Sequence, residues 1–499
     1  MIYLLPGNIG ETEEMHRHPQ FFKGAREMTQ KKELGELPVH KLLLKYAVPS
    51  IVAMLVGALY NIVDQFFIGQ SVGELGNAAT NIAFPLSTSC VAIALLFGIG
   101  GAAAFNLTMG KGKQEQALYY IGNAAVLLFL GGLILCVITK VFLNPLLIAF
   151  GSPEQVLPYA REYTGFTALG FPFLILSTGG GHLVRADGSP RFAMYSNLTG
   201  AVINVVLDAL FVFGLHMGML GAALATVIGQ VVAGCMIIWY LCHFKTGKLT
   251  RMHLRLKWEY GGYAAKLGTA NCFNQLAMMV VQIVLNKSLT YYGAQSVYGE
   301  SIPLACAGII TKVGMVFFSV CIGLSQGMQP IASYNYGAEK YERVRKSYML
   351  ALISGTVISV IAFLLFQMIP AKIIGLFGSS DNPLYDTFAV RYFRIYLFCT
   401  FLNAVQPISS NLFTSIGKPA RGIFLSLTRQ ILFLLPLILI FPLFFGIDGI
   451  MYAGPIADFV AALVSGIMAY LEFKKMKQKY RNVTKDAEMP DKSDRRYQA

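Results

Sequence analysis

Tyr60-Asn61-Ile62-Val63-Asp64-Gln65-Phe66-Phe67-Ile68-Gly69 closes an apolar run that begins near Leu42. At about 1.5 Å per residue, a run of this length crosses a bilayer core of about 30 Å as a helix. Asp64 then lies at lipid depth, where a carboxylate costs roughly 2.5–3.5 kcal/mol on insertion scales. Residues that expensive face a protein interior or a water-filled cavity, and they carry function.

Working outward, long apolar stretches recur along most of the 499-residue chain, which is 55% hydrophobic and 13% charged. A soluble protein carries about twice that share of charge. Twelve membrane helices are predicted, over 42–69, 78–104, 119–143, 157–182, 191–214, 219–243, 262–291, 302–331, 346–369, 385–413, 421–444 and 448–473. The runs do not alternate as the strands of an outer-membrane barrel do. Met1 to Leu5 is too short an apolar run for a cleavable signal, and Met28 is a candidate start. The eight cysteines form no CxxC pair and read as small buried apolar residues.

A net charge of +14 suits a nucleic-acid partner, but its distribution points to topology instead. With every second connection assigned to the cytoplasm, 33 of the 40 Lys and Arg, Arg429 among them, fall on that side. Six fall on the other side, and Lys312 lies inside a predicted helix. This asymmetry places both termini in the cytoplasm and makes the lipid bilayer, not nucleic acid, the bulk partner.

The chain also repeats itself. Gly69-Gln70-Ser71-Val72-Gly73-Glu74 returns as Gln295-Ser296-Val297-Tyr298-Gly299-Glu300. Gly112 pairs with Gly337, Phe150-Gly151-Ser152 with Phe377-Gly378-Ser379, Gly188-Ser189-Pro190 with Gly417-Lys418-Pro419, and Gly218-x2-Gly221 with Gly446-x2-Gly449. The offsets stay between 225 and 229. Six is an even number of crossings, so both halves insert in the same orientation, as in transporters built from parallel repeats. The expected fold is an all-α polytopic membrane protein. Its twelve transmembrane helices form two pseudo-symmetric six-helix bundles around a central cleft. The divisions are a tail at 1–41, a first lobe at 42–243, a linker at 244–261, a second lobe at 262–473 and a tail at 474–499. Each chain supplies both lobes, so a monomer suffices.

Asn204 and Asp208 are spaced i, i+4 and share one helix face. Counted from the outer helix ends, Asp64, Asp208 and Thr226 lie roughly 8, 9 and 10 Å deep. Asp64, Asn204, Asp208 and Thr226 are therefore placed at one level in the outer half of the membrane. Two carboxylates in a dry pocket do not both stay ionised, so the pair suits proton loading and release. The same oxygens suit Na⁺. At the repeat offset Asp64 maps to Leu289 and Asp208 to Pro436 or Leu437, so the fold itself does not require the acids. Gln275, Gln282, Lys312, Asn403 and Gln406 are the polar candidates for a substrate wall in the second half, and Pro49 is a candidate hinge in helix one.

These residues resemble a known family. Val63-Asp64-Gln65-Phe66-Phe67-Ile68-Gly69, Asn204-x3-Asp208, Gly218-x2-Gly221-Ala222-Ala223-x-Ala225-Thr226 and Gln329-Pro330-x5-Tyr336-Gly337-Ala338 are similar to multidrug and toxic compound extrusion (MATE) transporters over about residues 40–473. The resemblance implies efflux of organic cations and amphipathic drugs, driven by H⁺ or Na⁺ with no further cofactor, across a bacterial cytoplasmic membrane. The family's first-lobe ion site matches Asp64, Asn204, Asp208 and Thr226, and its helix-one proline matches Pro49. Some members carry acids on helices seven and ten. Here those helices hold Gln275, Gln282, Asn403 and Gln406 instead.

An alternative is a related flippase of lipid-linked oligosaccharides, which needs several basic residues along its cleft; only Lys312 is mid-helix in this reading. Enzyme chemistry is not expected, because no HExxH, GxSxG or Walker loop occurs and none of the seven His joins a cluster.

Overall fold

The computed structural model describes residues 33–299, 301–375 and 383–488. Met28, the Phe377-Gly378-Ser379 half of one repeat match and the last eleven residues lie outside that set. Among the described residues every regular element is helical. Eleven helices are long and apolar enough to cross a membrane: α1 (Val39–Ser71), α2 (Leu75–Gly110), α3 (Gln114–Val141), α4 (Leu157–Ala186), α5 (Pro190–Gly214), α6 (Gly218–Cys242), α7 (Trp258–Ala294), α8 (Ser301–Gly337), α9 (Tyr341–Met368), α11 (Pro419–Phe445) and α12 (Ile447–Gln478). The twelfth, α10, is a pair, Leu384–Leu402 and Val405–Ser415, bent by 41°. Large apolar side chains stay exposed around the outside, among them Leu44, Val141, Val206, Leu443 and Phe444. Such a belt on a multi-pass chain is a surface made for lipid.

The repeat is visible in the backbone. Gly73 and Gly299, Gly188 and Gly417, and Gly218 and Gly446 all have left-handed φ, between 57° and 82°, at matching helix junctions. A residue with a Cβ is strained in that conformation. Two further devices are also duplicated. The fourth helix of each lobe breaks at a 3₁₀ turn, Ala168–Gly170 and Phe398–Leu402. In each case the following helix starts just ahead of a proline, Pro172 or Pro407, which has no N–H to continue the ladder. The fifth helix of each lobe turns π-helical, at Ala209–Gly214 and at Thr428–Leu434.

The lobes meet at one end, which carries the basic connections 111–113, 185–191, 243–257 and 337–346. There α1 packs on α8 and α2 packs on α7 at backbone distance. A Cβ on Gly268 would stand 1.8 Å from Leu96 O, and one on Gly100 would stand 1.9 Å from Ala264 O. On the other pair, Gly323 abuts Ile51 Cα at 2.5 Å and Gly327 abuts Ala47 Cα at 2.4 Å, measured the same way. Gln329 Nε2 donates to Ile99 O at 3.1 Å across the same seam. Leu42, Leu43, Tyr46 and Ala47 thus belong to the core of the second lobe, whereas Ile68, at the other end of α1, packs in the first. Toward that far end, Gly308, on the same stripe of α8 as Gly323, would meet nothing within 4 Å with an added Cβ, so the seam opens there into a cleft.

The linker is shorter than expected, because α7 begins at Trp258. It is strapped to the first lobe. Asp187 accepts from Lys245 N (2.7 Å), Thr246 N (3.0 Å), Thr246 Oγ1 and Tyr240 Oη (2.9 Å). Burial pushes its carboxyl up to about 6, against these hydrogen bonds, which favour the charged form. Asn123 Nδ2 donates to His253 O at 3.1 Å, and Lys257 N donates to Asn123 Oδ1 at 2.8 Å. The segment preceding α1 is gripped by the opposite lobe, where Asn335 Nδ2 and Arg343 donate to Leu34 O. All eight cysteines are free, and five are buried as expected. Cys235 and Cys242 on α6 are exposed, and Cys272 on α7 is half-buried.

Candidate ion site and cleft

Asp64 on α1, Asn204 and Asp208 on α5 and Thr226 on α6 converge inside the first lobe, with relative exposures of 8%, 2%, 0% and 7%. Close packing of α5 on α6 brings them together. A Cβ on Gly229 would lie 2.6 Å from Gly200 O, and these two glycines let Asn204 Nδ2 reach Thr226 Oγ1 at 3.3 Å. Asp208 is the last α-helical residue before the π-helical stretch, a distortion often found at functional sites.

The carboxyls of Asp64 and Asp208 are within hydrogen-bonding range of each other. Two bare carboxylates offer only acceptors, so this contact holds when a proton or a cation lies between them. Asp64 Oδ1, both Asp208 oxygens and Asn204 Oδ1 are buried with no hydrogen-bond partner among the described residues. Four converging orphan oxygens fit one small hard cation or one shared proton. Tyr60 and Tyr163 complete the shell; Tyr163 bonds to Thr226, and both phenol groups lie close to the two acids. The sequence reading omitted these tyrosines. An i, i+4 step from Tyr60 to Asp64 on one helix was the available signal.

The second lobe differs at the equivalent place. Leu289 is 1% exposed within an apolar core. That lobe does hold a buried ion pair, which the sequence reading missed. Arg429 Nε donates to Asp458 Oδ1 at 2.5 Å, and the Asp458 carboxylate also accepts from Asn403. The Arg429 guanidinium sits 5.4 Å from the Phe318 ring. Arg429, counted with the cytoplasmic charges, is instead ten residues into α11. Two opposite charges in adjacent apolar runs were the signal for the pair. Gln406 Nε2 donates to Leu425 O at 3.0 Å, so it ties α10 to α11 inside the lobe, as Asn403 ties α10 to α12. Gln275 and Gln282 lie seven and fourteen residues beyond Gly268, on the α7 stripe that faces the other lobe, and Lys312 lies on α8. Pro49 is buried within an unbroken α1, between Ala47 and Ile51 at the seam.

Twelve helices in two matched lobes, with an acidic pocket in one of them, define a transporter architecture. The MatE family profile matches residues 49–210 and 271–440, and the chain belongs to that family. It is 24% identical over 437 residues to the multidrug export protein MepA of Staphylococcus haemolyticus, covering 87% of this chain and 94% of that protein. It is also 24% identical over 454 residues to an FAD transporter of Shewanella oneidensis, covering 89% and 96%. Its fold matches a multidrug resistance MATE transporter solved in an outward-facing conformation, with TM-score 0.83 and 20% identity over 89% of this chain and 98% of that one. A MOP superfamily transporter from Pyrococcus furiosus, whose pocket is described as reversed in polarity, matches equally, with TM-score 0.83 and 20% identity.

Proposed function

We propose that this chain is a secondary active multidrug efflux transporter. It exchanges organic cations and amphipathic drugs for H⁺ or Na⁺ by alternating access between its two lobes. The observation that carries the reading is the buried Asp64–Asp208 contact with its four orphan oxygens, an arrangement complete only with a cation in it. The positive-inside rule assigns the basic end, and with it both termini, to the cytoplasm of a bacterial cell. The glycine seam then closes the cytoplasmic side and the cleft opens outward. Relatives named for multidrug export support the substrate class.

Coupling follows from linkage. A cation in the first-lobe pocket and a substrate in the cleft stabilise different lobe arrangements, so each biases the binding of the other by the same factor. Dye efflux from proteoliposomes under an imposed pH or Na⁺ gradient tests this. Wild type moves dye when one of the two gradients is imposed, and Asp64→Asn loses that dependence. Undiminished gradient-driven efflux in Asp64→Asn sinks the reading.

A further inference from the structure

Lys312 has no ion pair or hydrogen bond among the described residues, yet it is half-buried and about 17 Å along α8 from Ser301. It stands about three turns inside the end of the helix. Its direction follows from helix phase. Gly323, where an added Cβ would stand 2.5 Å from Ile51 Cα of α1, is eleven residues on, about three turns. Pro330 is eighteen residues on, about five turns, and Gly337, which abuts Leu107 of α2, continues the stripe. Gly308, one turn before Lys312, faces open space. Lys312 therefore lies on the face of α8 that seals against the first lobe at the basic end and lines the cleft above it.

The wall opposite offers it no counter-charge. The pairings of Gly323 with Ile51 and Gly327 with Ala47 set Lys312 level with Ile62 of α1. Asp64 is close in height but turned about 220° round the helix from Ile51, into its own lobe. No acid occurs in α2 from Leu75 to Gly110, and α7 has only Glu259, in its first turn. Along α7 the stripe that starts at Gly268 presents Gln275, Gln282 and Asn286, all neutral amides. Among the described residues Lys312 thus meets no acid across the cleft, and the other charge near this wall, Lys287 beside Asn286 at the outer end of α7, is positive too.

We propose that Lys312 anchors an oxyanion on the substrate. The preferred cargo is then an amphipathic molecule with an apolar aromatic body and a carboxylate or similar acid group, zwitterions included. This rests on the efflux reading and narrows its substrate. A fixed cation out of bulk water opposes a purely cationic ligand and pairs strongly with an anion. The relative that carries FAD, a phosphate-bearing aromatic, shows that this architecture is compatible with such cargo.

The test uses proteoliposomes and two dyes, a rhodamine with a free carboxylate and the same rhodamine as its methyl ester. Wild type is expected to move the free acid with the lower half-saturating concentration. In Lys312→Gln the acid-over-ester preference falls at least tenfold, and Lys312→Arg restores most of it. Thermal unfolding of each purified variant checks that the fold is retained. An unchanged preference in Lys312→Gln overturns the inference, as does transport of the ester alone by wild type, and either result leaves the efflux reading standing. Movement of neither dye overturns both.

Discussion

Gly268→Ala perturbs the seam between the lobes at a single atom. The added Cβ would meet Leu96 O at 1.8 Å and Leu96 C at 2.5 Å. Reaching an ordinary contact requires α7 and α2 to part by about 1.5 Å or more. Both partners are backbone, so no rotamer change relieves the clash. Overpacking of this kind costs about 1–3 kcal/mol. The cost falls only on the arrangement in which the basic ends touch, so the population shifts away from it by roughly 5- to 150-fold. The assay is a distance measurement between nitroxides at Lys111→Cys and Glu339→Cys, exposed positions on the two lobes at the basic end, with the eight native cysteines replaced. A longer component is expected to grow in Gly268→Ala. Gly314→Ala, where the new atom meets nothing within 4 Å, is the control and leaves the distribution unchanged. An unchanged distribution in Gly268→Ala refutes the claim that the glycine seam holds this conformation.

Asp458→Asn leaves the Arg429 guanidinium half-buried without its counter-charge. A loss of about 3–5 kcal/mol is expected, seen as a lower unfolding temperature of the purified protein, and Arg429→Met with Asp458→Leu recovers much of it. Asp187→Ala strips the acceptor from Lys245 N, Thr246 N, Thr246 Oγ1 and Tyr240 Oη, at about 1–3 kcal/mol for each donor left dry. Limited proteolysis between Lys245 and Arg251 is expected to accelerate while the lobes stay folded. Thr226→Val removes the acceptor of Asn204 Nδ2, and it is expected to weaken the response of efflux to the coupling gradient more than the response to substrate concentration.

The spans and the repeat were legible because membrane helices announce themselves by composition and the junction glycines by spacing. The interruptions were not. The 3₁₀ turns before Pro172 and Pro407 and the π stretches after Asp208 and at Arg429 lie inside apolar runs that read as continuous helix. The quartet around Asp64 was legible because equal depth and i, i+4 spacing are one-dimensional quantities. Tyr60 and Tyr163 escaped because aromatic residues are common in such helices, and only packing singles out two of them. Asn403 and Gln406 show the converse. Their polarity marked them, but their partners, Asp458 and Leu425 O, are set by how α10 bends against α11 and α12. Helix phase, by contrast, fixes the direction of Lys312 once the seam residues are known.

Reverse coupling addresses the carboxyl pair directly. Proteoliposomes receive a substrate gradient and no ion gradient, and a luminal pH or Na⁺ indicator reports ion flow. Wild type is predicted to drive one of these ions against the substrate flux. Asp64→Asn and Asp208→Asn are predicted to bind substrate and move no ion. Ion movement at the wild-type rate in both variants contradicts the assignment of coupling to the Asp64–Asp208 site.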